Sequence, residues 1–404
     1  MHRIIEWINS PKQDQGVRER GHFGMKNFDT IVIGVGGMGS AALWHLARRG
    51  QKVLGIERFD LGHNMGSSHG VNRIIRLAYF EHPNYVPLLR RAYELWRETE
   101  QLTKEQLLFV TGGIDAGAED SRIVQGALMA CREHDLPHEV LTARETTQRF
   151  PGYKLPDQYA VVYQPDAGFV ASERAILAHA SLAVAAGAEI HGREKVLAIE
   201  PAQGRVVVVT DQERYEAARV IVSTGGWISD LIPSLKTKAV PERQVLGWFL
   251  PQKPGLFRPD TFPVSNILSE VGHFYQFPTW GIPGFKIGLY HHFHETGHAD
   301  KLSREPTPAD EEALRKGIRH MFPDADGPTL RLAACLFTNT PDEHFVIDTL
   351  PDAPEVVVAS PCSGHGFKFA SVIGEALADL ATTGTSKLDL SLFNFNRFSE
   401  TQTA

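Results

Sequence analysis

The stretch "FDTIVIGVGGMGSAALWHLARRGQKVLGIER", residues 28–58, decides the fold. A β-rich start over 28–33, a glycine turn, helix formers from Ala41 to Arg49 stopped by Gly50, and an extended run from Lys52 to Glu57 predict one complete βαβ unit. Gly34, Gly36 and Gly39 spell G-x-G-x-x-G, with Gly37 inside the turn. Small residues at this spacing permit a tight turn, let backbone N–H groups approach a pyrophosphate, and let the helix close on the strand. Glu57 ends the second strand, where a carboxylate can accept a ribose 2′-OH and repels the extra phosphate of NADP. The glycines alone are a weak sign; the flanking strands and the acid make a dinucleotide the reading.

Working outward, apolar residues recur at helical spacing from Tyr85 to Glu105, through Val86, Leu88, Leu89, Ala92, Leu95 and Trp96. A second helical stretch, residues 171–192, follows the "QPDAGFV" turn and leads to strands around Val196 and Val206 to Val209. "ARVIVSTGGW", residues 218–227, reads as another buried strand ending in glycines, and Glu355 to Ser360 runs into a glycine loop and helix. Elements of a nucleotide-binding sheet thus recur at the start, middle and end of the chain. The regions of about 111–170 and 241–341 are instead rich in aromatics, prolines and alternating β patterns. The expected architecture is α/β: a Rossmann-like nucleotide-binding domain from 25–110, 171–240 and 342–404, interleaved with an α+β, mixed-sheet substrate domain from 111–170 and 241–341. Such interleaving argues against a simple nicotinamide dehydrogenase, whose nucleotide domain is usually contiguous.

A length of 404 residues allows two or three domains, and shares of 42% hydrophobic and 22% charged residues are those of a globular protein. No apolar run is long enough to cross a bilayer, and a net charge of −7 argues against a broad nucleic-acid footprint. The three cysteines, Cys131, Cys335 and Cys362, have no paired spacing, so neither a disulfide framework nor a zinc site is indicated and a reducing, cytoplasmic setting is expected. Residues 1–24 are charged, broken by Pro11 and lack a secretory apolar region; with Met25 ahead of the first strand, they read as a poorly ordered extension or an upstream start.

Several residues could carry chemistry. Cys335 stands just before a Pro-Asp turn, although a lone cysteine is ordinarily a small buried hydrophobe. "GSSHGVNRIIRLAY", residues 66–79, places His69, Arg73 and Arg76 within eight residues. On a helix or extended turn Arg73 and Arg76 could face one pocket, though such a segment alone also reads as a solvated basic loop. Lys286 lies inside the apolar "GFKIGLY", where a charge is unfavourable unless paired or at work; alternation leaves open that it faces outward. Lys368 follows the glycine loop "SGHG" at a presumed helix start. "HHFHETGH", residues 291–298, gathers histidines with Glu295 but is not H-E-x-x-H; it reads as a polar loop, and no metal is expected.

Taken in order, "GVGGMGSAALWHLARRG", "GSSHGVNRIIRLAY", "KIGLYHH", "CLFTNTPDEHFVID" and "SGHGFKF" make the chain, from near residue 28 to its end, resemble the monomeric sarcosine oxidase and N-methyltryptophan oxidase family of flavoprotein amine oxidases. The resemblance implies FAD joined through its 8α position to the sulfur of Cys335, and oxidation of an N-alkyl amino acid by O2 with release of hydrogen peroxide. It assigns Lys286 to oxygen activation, Arg73 to the flavin face, and His69 to both flavin and substrate. Arg76 and Lys368 would hold the substrate carboxylate, with Tyr290 and Phe337 on the substrate side. Cofactor contacts are expected from Gly34, Gly36, Gly37, Gly39, Glu57 and Arg58; from Ser67, His69, Arg73 and Val196; and from Cys335, Gly364, Gly366 and Lys368. His365 is read as loop support, and Cys131 and Cys362 as packing.

Two positions depart from the family pattern. Its best-studied members carry a tyrosine two residues after the attachment cysteine, where this chain has Phe337, and a histidine four residues after the oxygen-activating lysine, where it has Tyr290 followed by His291 and His292. The expected protein is a monomer whose partners are a secondary amine and O2. The alternatives are an amine dehydrogenase of the same fold with another electron acceptor, and a flavin-binding protein without turnover.

Overall fold

The computed structural model describes residues 25–398, so the reading of residues 1–24 lies outside the described residues. The βαβ unit comprises the strand Lys26–Ile33, the helix Gly37–Ala47 and the strand Val53–Ile56. The helix begins four residues earlier than its best helix formers, within the glycine motif itself. A Cβ on Gly39 would stand 1.8 Å from the Gly34 carbonyl oxygen, so only glycine lets this helix start so close to the strand it leaves. A Cβ on Gly374 would come within 2.4 Å of the Ala41 Cβ, and that absence lets the helix Ala370–Thr383 pack against the first one. Nearly the whole of the first helix is consequently buried.

The described chain divides into two compact units: one takes the described residues up to His63, Arg174–Ala239 and the described residues from Thr338; the other takes Asn64–Glu173 and Val240–Phe337. In the first unit Lys26–Ile33 pairs in parallel with Val53–Ile56 on one side and Arg214–Val222 on the other, and Val53–Ile56 pairs in parallel with Glu189–His191. Arg214–Val222 splits its far edge between antiparallel Arg205–Thr210 and parallel Ala353–Ser360. The middle strands bury both faces and read as continuous apolar runs, as a parallel sheet requires. Their core includes Ile31, Ile33, Leu54, Ile56, Val220 and Val358.

The second unit holds an eight-stranded sheet with the order Thr329–Asn339, Val240–Phe249, Phe285–Leu289, Gly272–Phe277, Val264–Ser269, Gly113–Ala118, Tyr159–Gln164, Glu139–Thr142. Its described pairings are antiparallel except that of Val264–Ser269 with Gly113–Ala118. A core of packed aromatics, among them Tyr153, Phe249, Phe257, Phe262, Phe285 and Phe322, lies in this unit. Residues 64–110, which chain order groups with the nucleotide-binding region, belong to this second unit. There Asn72–Ile75 and Leu108–Val110 flank Gly168–Ala171 in a separate three-stranded sheet. No helix among the described residues is long and apolar enough to cross a membrane.

Candidate active site

In the first unit the glycine turn leaves the helix Gly37–Ala47 without a side-chain cap, so its first N–H groups have no intrahelical acceptor. Gly34 takes φ +89°, and a Cβ there would strike the Ser223 carbonyl oxygen at 2.6 Å; a Cβ on Gly36 would meet nothing within 4 Å. Gly36 therefore faces open space, the bare approach an anionic ligand needs at a helix N-terminus. Glu57 is buried at the end of its strand and accepts from the backbone N–H groups of Val35 (2.9 Å) and Phe59 (3.0 Å). Burial raises its carboxyl above the usual range against these stabilising bonds, and a carboxylate's remaining lone pairs leave room for a further donor. Arg58 lies against the Phe59 and Trp227 rings, and Val196 is half-buried at the start of its strand. Gly364 takes φ +77°, and a Cβ on Gly366 would overlap the Pro361 carbonyl oxygen, so this loop closes tightly on itself. Lys368, buried, donates from Nζ to the His365 carbonyl (2.7 Å), while the His365 ring bonds to the Glu343 carbonyl (2.9 Å) and stacks on Phe345.

The second unit gathers the residues expected to do chemistry. Lys286 is 1% exposed, so it does not face outward from its strand. Its Nζ donates to the carbonyls of Gly70 (2.8 Å) and Asn72 (2.8 Å) and to the Asn72 side-chain oxygen (2.7 Å). The Phe277 ring lies 4.0 Å and the Trp248 ring 5.6 Å from it. Burial first, and Arg73 second, push this amine well below the usual lysine range, with Glu173 and Cys335 acting in the opposite sense. Three oxygen acceptors nevertheless require three N–H donors; a neutral amine has two, and its lone pair would face an oxygen. The arrangement is thus built for the ammonium.

Arg73 lies on the strand Asn72–Ile75 and Arg76 just beyond it, so of the helix and the extended turn it is the extended option that holds. Arg73 donates to the carbonyls of Asn72 (2.9 Å) and Ser67 (2.7 Å). Arg76 turns instead to carboxylates: Nη2 meets both oxygens of Glu81 (3.1 and 2.9 Å), and Nε approaches Asp115 at 3.5 Å. Its Nη1 has no hydrogen-bond partner among the described residues, a buried N–H left available to a ligand. His69 is also buried in this segment.

Cys335 lies in a cluster with Ile74, Trp248, Tyr275, Phe277 and Phe337. Burial pushes its thiol up, while Arg73, Lys286, Arg304 and Arg243 favour the thiolate. The two departures from the family pattern are neighbours, since the Tyr290 and Phe337 rings lie 5.6 Å apart. Tyr290 also stacks on His273 at 4.1 Å. Sequence reasoning missed Glu81, a local partner five residues beyond Arg76, and Asp115, Glu173 and His273, which are brought in by tertiary contact. It also missed that Glu242, rather than Glu295, is the acid that gathers His291 and His294, all three ligand-capable atoms lying within 4.8 Å. His291 bonds Glu242 at 2.9 Å there, and His294 is largely exposed.

Residues 29–380 match the family described as FAD dependent oxidoreductase, and the chain belongs to that family. Within it, the chain falls among the monomeric sarcosine oxidases and N-methyltryptophan oxidases. It is 41% identical over 376 residues to the monomeric sarcosine oxidase of Streptomyces avermitilis, covering 92% of this chain and 97% of that protein. It is 35% identical over 379 residues to the N-methyl-L-tryptophan oxidase of Yersinia pestis, covering 92% and 100%. Among solved structures, NikD, an unusual amino acid oxidase essential for nikkomycin biosynthesis, aligns with a TM-score of 0.80 at 25% identity, covering 91% of this chain and 97% of that one. Glycine oxidase from Geobacillus kaustophilus shares the fold, with a TM-score of 0.78 at 19% identity over 92% and 99% of the chains. The residues fit FAD: the uncapped helix, open Gly36 and buried Glu57 suit its dinucleotide half. In the second unit, the buried Ser67 hydroxyl and Asn72 Nδ2 lack partners among the described residues, as donors awaiting a polar ring would.

Proposed function

We propose that this chain oxidises N-methyl and other secondary amino acids, with FAD tethered to Cys335 and O2 as the final acceptor. Bound FAD would supply the two-electron acceptor. The substrate carbon next to nitrogen gives up a hydride and the amine a proton, leaving an imine; water hydrolyses it to a carbonyl compound and the shortened amine. O2 takes up two electrons and two protons and leaves as hydrogen peroxide. Sarcosine would yield glycine and formaldehyde.

The observation that carries the reading is the buried Lys286 ammonium, held by neutral oxygens instead of a contacting carboxylate. A fixed, desolvated cation stabilises the negative charge that develops as oxygen accepts an electron, and it needs no reorganisation at that moment. Arg73, locked on two carbonyls, would offset negative charge on the reduced cofactor. Arg76 would receive the substrate carboxylate through its open Nη1. Lys368 as a second cation for that carboxylate rests on the family resemblance alone, as does His69 beside flavin and substrate. The cations around Cys335 favour the thiolate needed to form the thioether. Tyr290 and Phe337 would set which N-substituent or side chain is accepted.

An aerobic peroxide screen over sarcosine, other N-methyl amino acids, pipecolate and proline tests the reading. Peroxide from at least one is expected; failure of all of them to bleach the flavin anaerobically would overturn it. Acid precipitation tests the tether: the pellet should stay yellow, and the Cys335→Ala pellet should be colourless.

A further inference from the structure

Glu173 is not among the residues that the family motifs single out, yet it holds the loop on which Lys286 rests. Its Oε1 accepts from the backbone N–H of Gly70 (2.7 Å) and Val71 (3.1 Å), and its Oε2 from Val71 (3.1 Å) and the Ser172 hydroxyl (2.6 Å). Val71 takes φ +67°, a left-handed conformation that is a strained outlier for a β-branched residue. The loop keeps that shape because its N–H groups are spent on a fixed carboxylate. One peptide unit, the carbonyl of Gly70 with the N–H of Val71, therefore joins the two charges, with Glu173 on its N–H side and the Lys286 ammonium on its oxygen side.

We propose that Glu173 is the positioning residue for Lys286, fixing and polarising through the Gly70–Val71 peptide the oxygens that hold the ammonium in place for oxygen reduction. The inference rests on Lys286 serving oxygen, as proposed above. A carboxylate in direct contact would cancel most of the cation's field; one peptide removed, it steadies the charge while leaving the field available to O2. Glu173 suits this task. Burial opposes its ionisation, but bonds from Ser172 and Val71 and the nearby Arg73 hold its carboxyl below the usual range, and it lies in the first turn of the helix Ser172–Ala185, where negative charge is favoured.

The groups around the Lys286 amine are Arg73 and Asn72 from one strand, Cys335 from another, the Trp248 and Phe277 rings from the two strands paired with its own, and Glu173. Removing the Glu173 charge takes away support for the ammonium. The pH above which oxygen reactivity falls should then move downward.

The test is reoxidation by O2 of holoenzyme reduced with dithionite, which needs no amine. Glu173→Gln should slow reoxidation by about tenfold or more and shift its pH midpoint lower, while Glu173→Asp, keeping the charge, should recover part of the rate. Combined with Lys286→Met, Glu173→Gln should cause no further slowing, since both act through one ammonium. Hydrogen exchange by mass spectrometry gives a readout independent of turnover: the Gly70 and Val71 amides should exchange faster in Glu173→Gln. Reoxidation of both Glu173 variants within about twofold of the unmodified enzyme, or an equal further loss on top of Lys286→Met, would overturn the proposal. If Lys286→Met alone reoxidises normally, the role of Lys286 fails instead; the peroxide screen separately tests the amine reading.

Discussion

Arg76 and Lys286 are both buried cations of the second unit, and they are compensated in opposite ways. Arg76 has full counter-charges: Glu81 in direct contact and Asp115 at 3.5 Å. Lys286 has dipoles and aromatic faces, with its carboxylate, Glu173, held one peptide away. A cation whose charge is already shared with carboxylates on Nη2 and Nε, but whose Nη1 is open, holds a further carboxylate only in competition with them, which suits a group that binds and releases a charged ligand. A cation compensated by fixed dipoles keeps its field at all times, which suits a group that must act on a small neutral molecule such as O2. The same element of sequence, a basic residue beside an apolar run, thus serves two ends according to what tertiary structure places around it.

The contrast can be broken most sharply at Lys286. Lys286→Met should lower aerobic turnover by about 10²–10³-fold, the usual loss for one preorganised electrostatic donor, while anaerobic bleaching by amine stays within severalfold. Rapid mixing with and without oxygen measures both. Arg76→Gln should act on the other side, raising KM for the amino acid by about 10–100-fold through loss of a charge-assisted hydrogen bond. It also leaves Glu81 and Asp115 without their cation, so a lower Tm is expected; Arg76→Lys should keep more of both properties. Glu81→Gln removes the carboxylate that competes for Arg76, and KM should fall by about two- to fivefold, as for one weak ionic contact.

The smallest effect concerns Asp115, which accepts from Gln164 and Asn266 beside Arg76. Burial pushes its carboxyl up to about 6 from an ordinary 3.8, against the pull of Arg76. A raised folded value means that the neutral form is favoured in the fold: the contribution is complete below the ordinary value and is lost as pH rises through about 6. Asp115→Asn should therefore flatten the fall in Tm between about pH 4 and 7.

The nucleotide-binding half was largely legible because its signals are local. Glycine spacing, helix formers and the acid at Glu57 lie within 31 residues, and the strand–helix–strand they predict is present. Only the helix start moved, from Ala41 to Gly37, because close packing on Gly34 outweighs the low helix propensity of glycine. The second unit was poorly legible by pattern. Residues 64–110 carry no sign of their pairing partner, Gly168–Ala171, and so were grouped by chain order with the wrong unit. Alternation could not show that Lys286 is buried, since its lid of Trp248 and Phe277 comes from the neighbouring strands. Glu173 lies 103 residues from the Gly70 amide it holds, and a glutamate early in a helix reads as an ordinary first-turn acid.

The most direct measurement sets the two cations against each other. Holoenzyme carrying Lys286→Met and holoenzyme carrying Arg76→Gln are each reduced with dithionite and mixed with O2 in the absence of amine. If fixed dipoles keep Lys286 ready for oxygen while paired carboxylates keep Arg76 for substrate, only the lysine variant will reoxidise slowly and the arginine variant will match the unmodified enzyme. Equal slowing of the two, or normal reoxidation of the lysine variant, would contradict that division of labour.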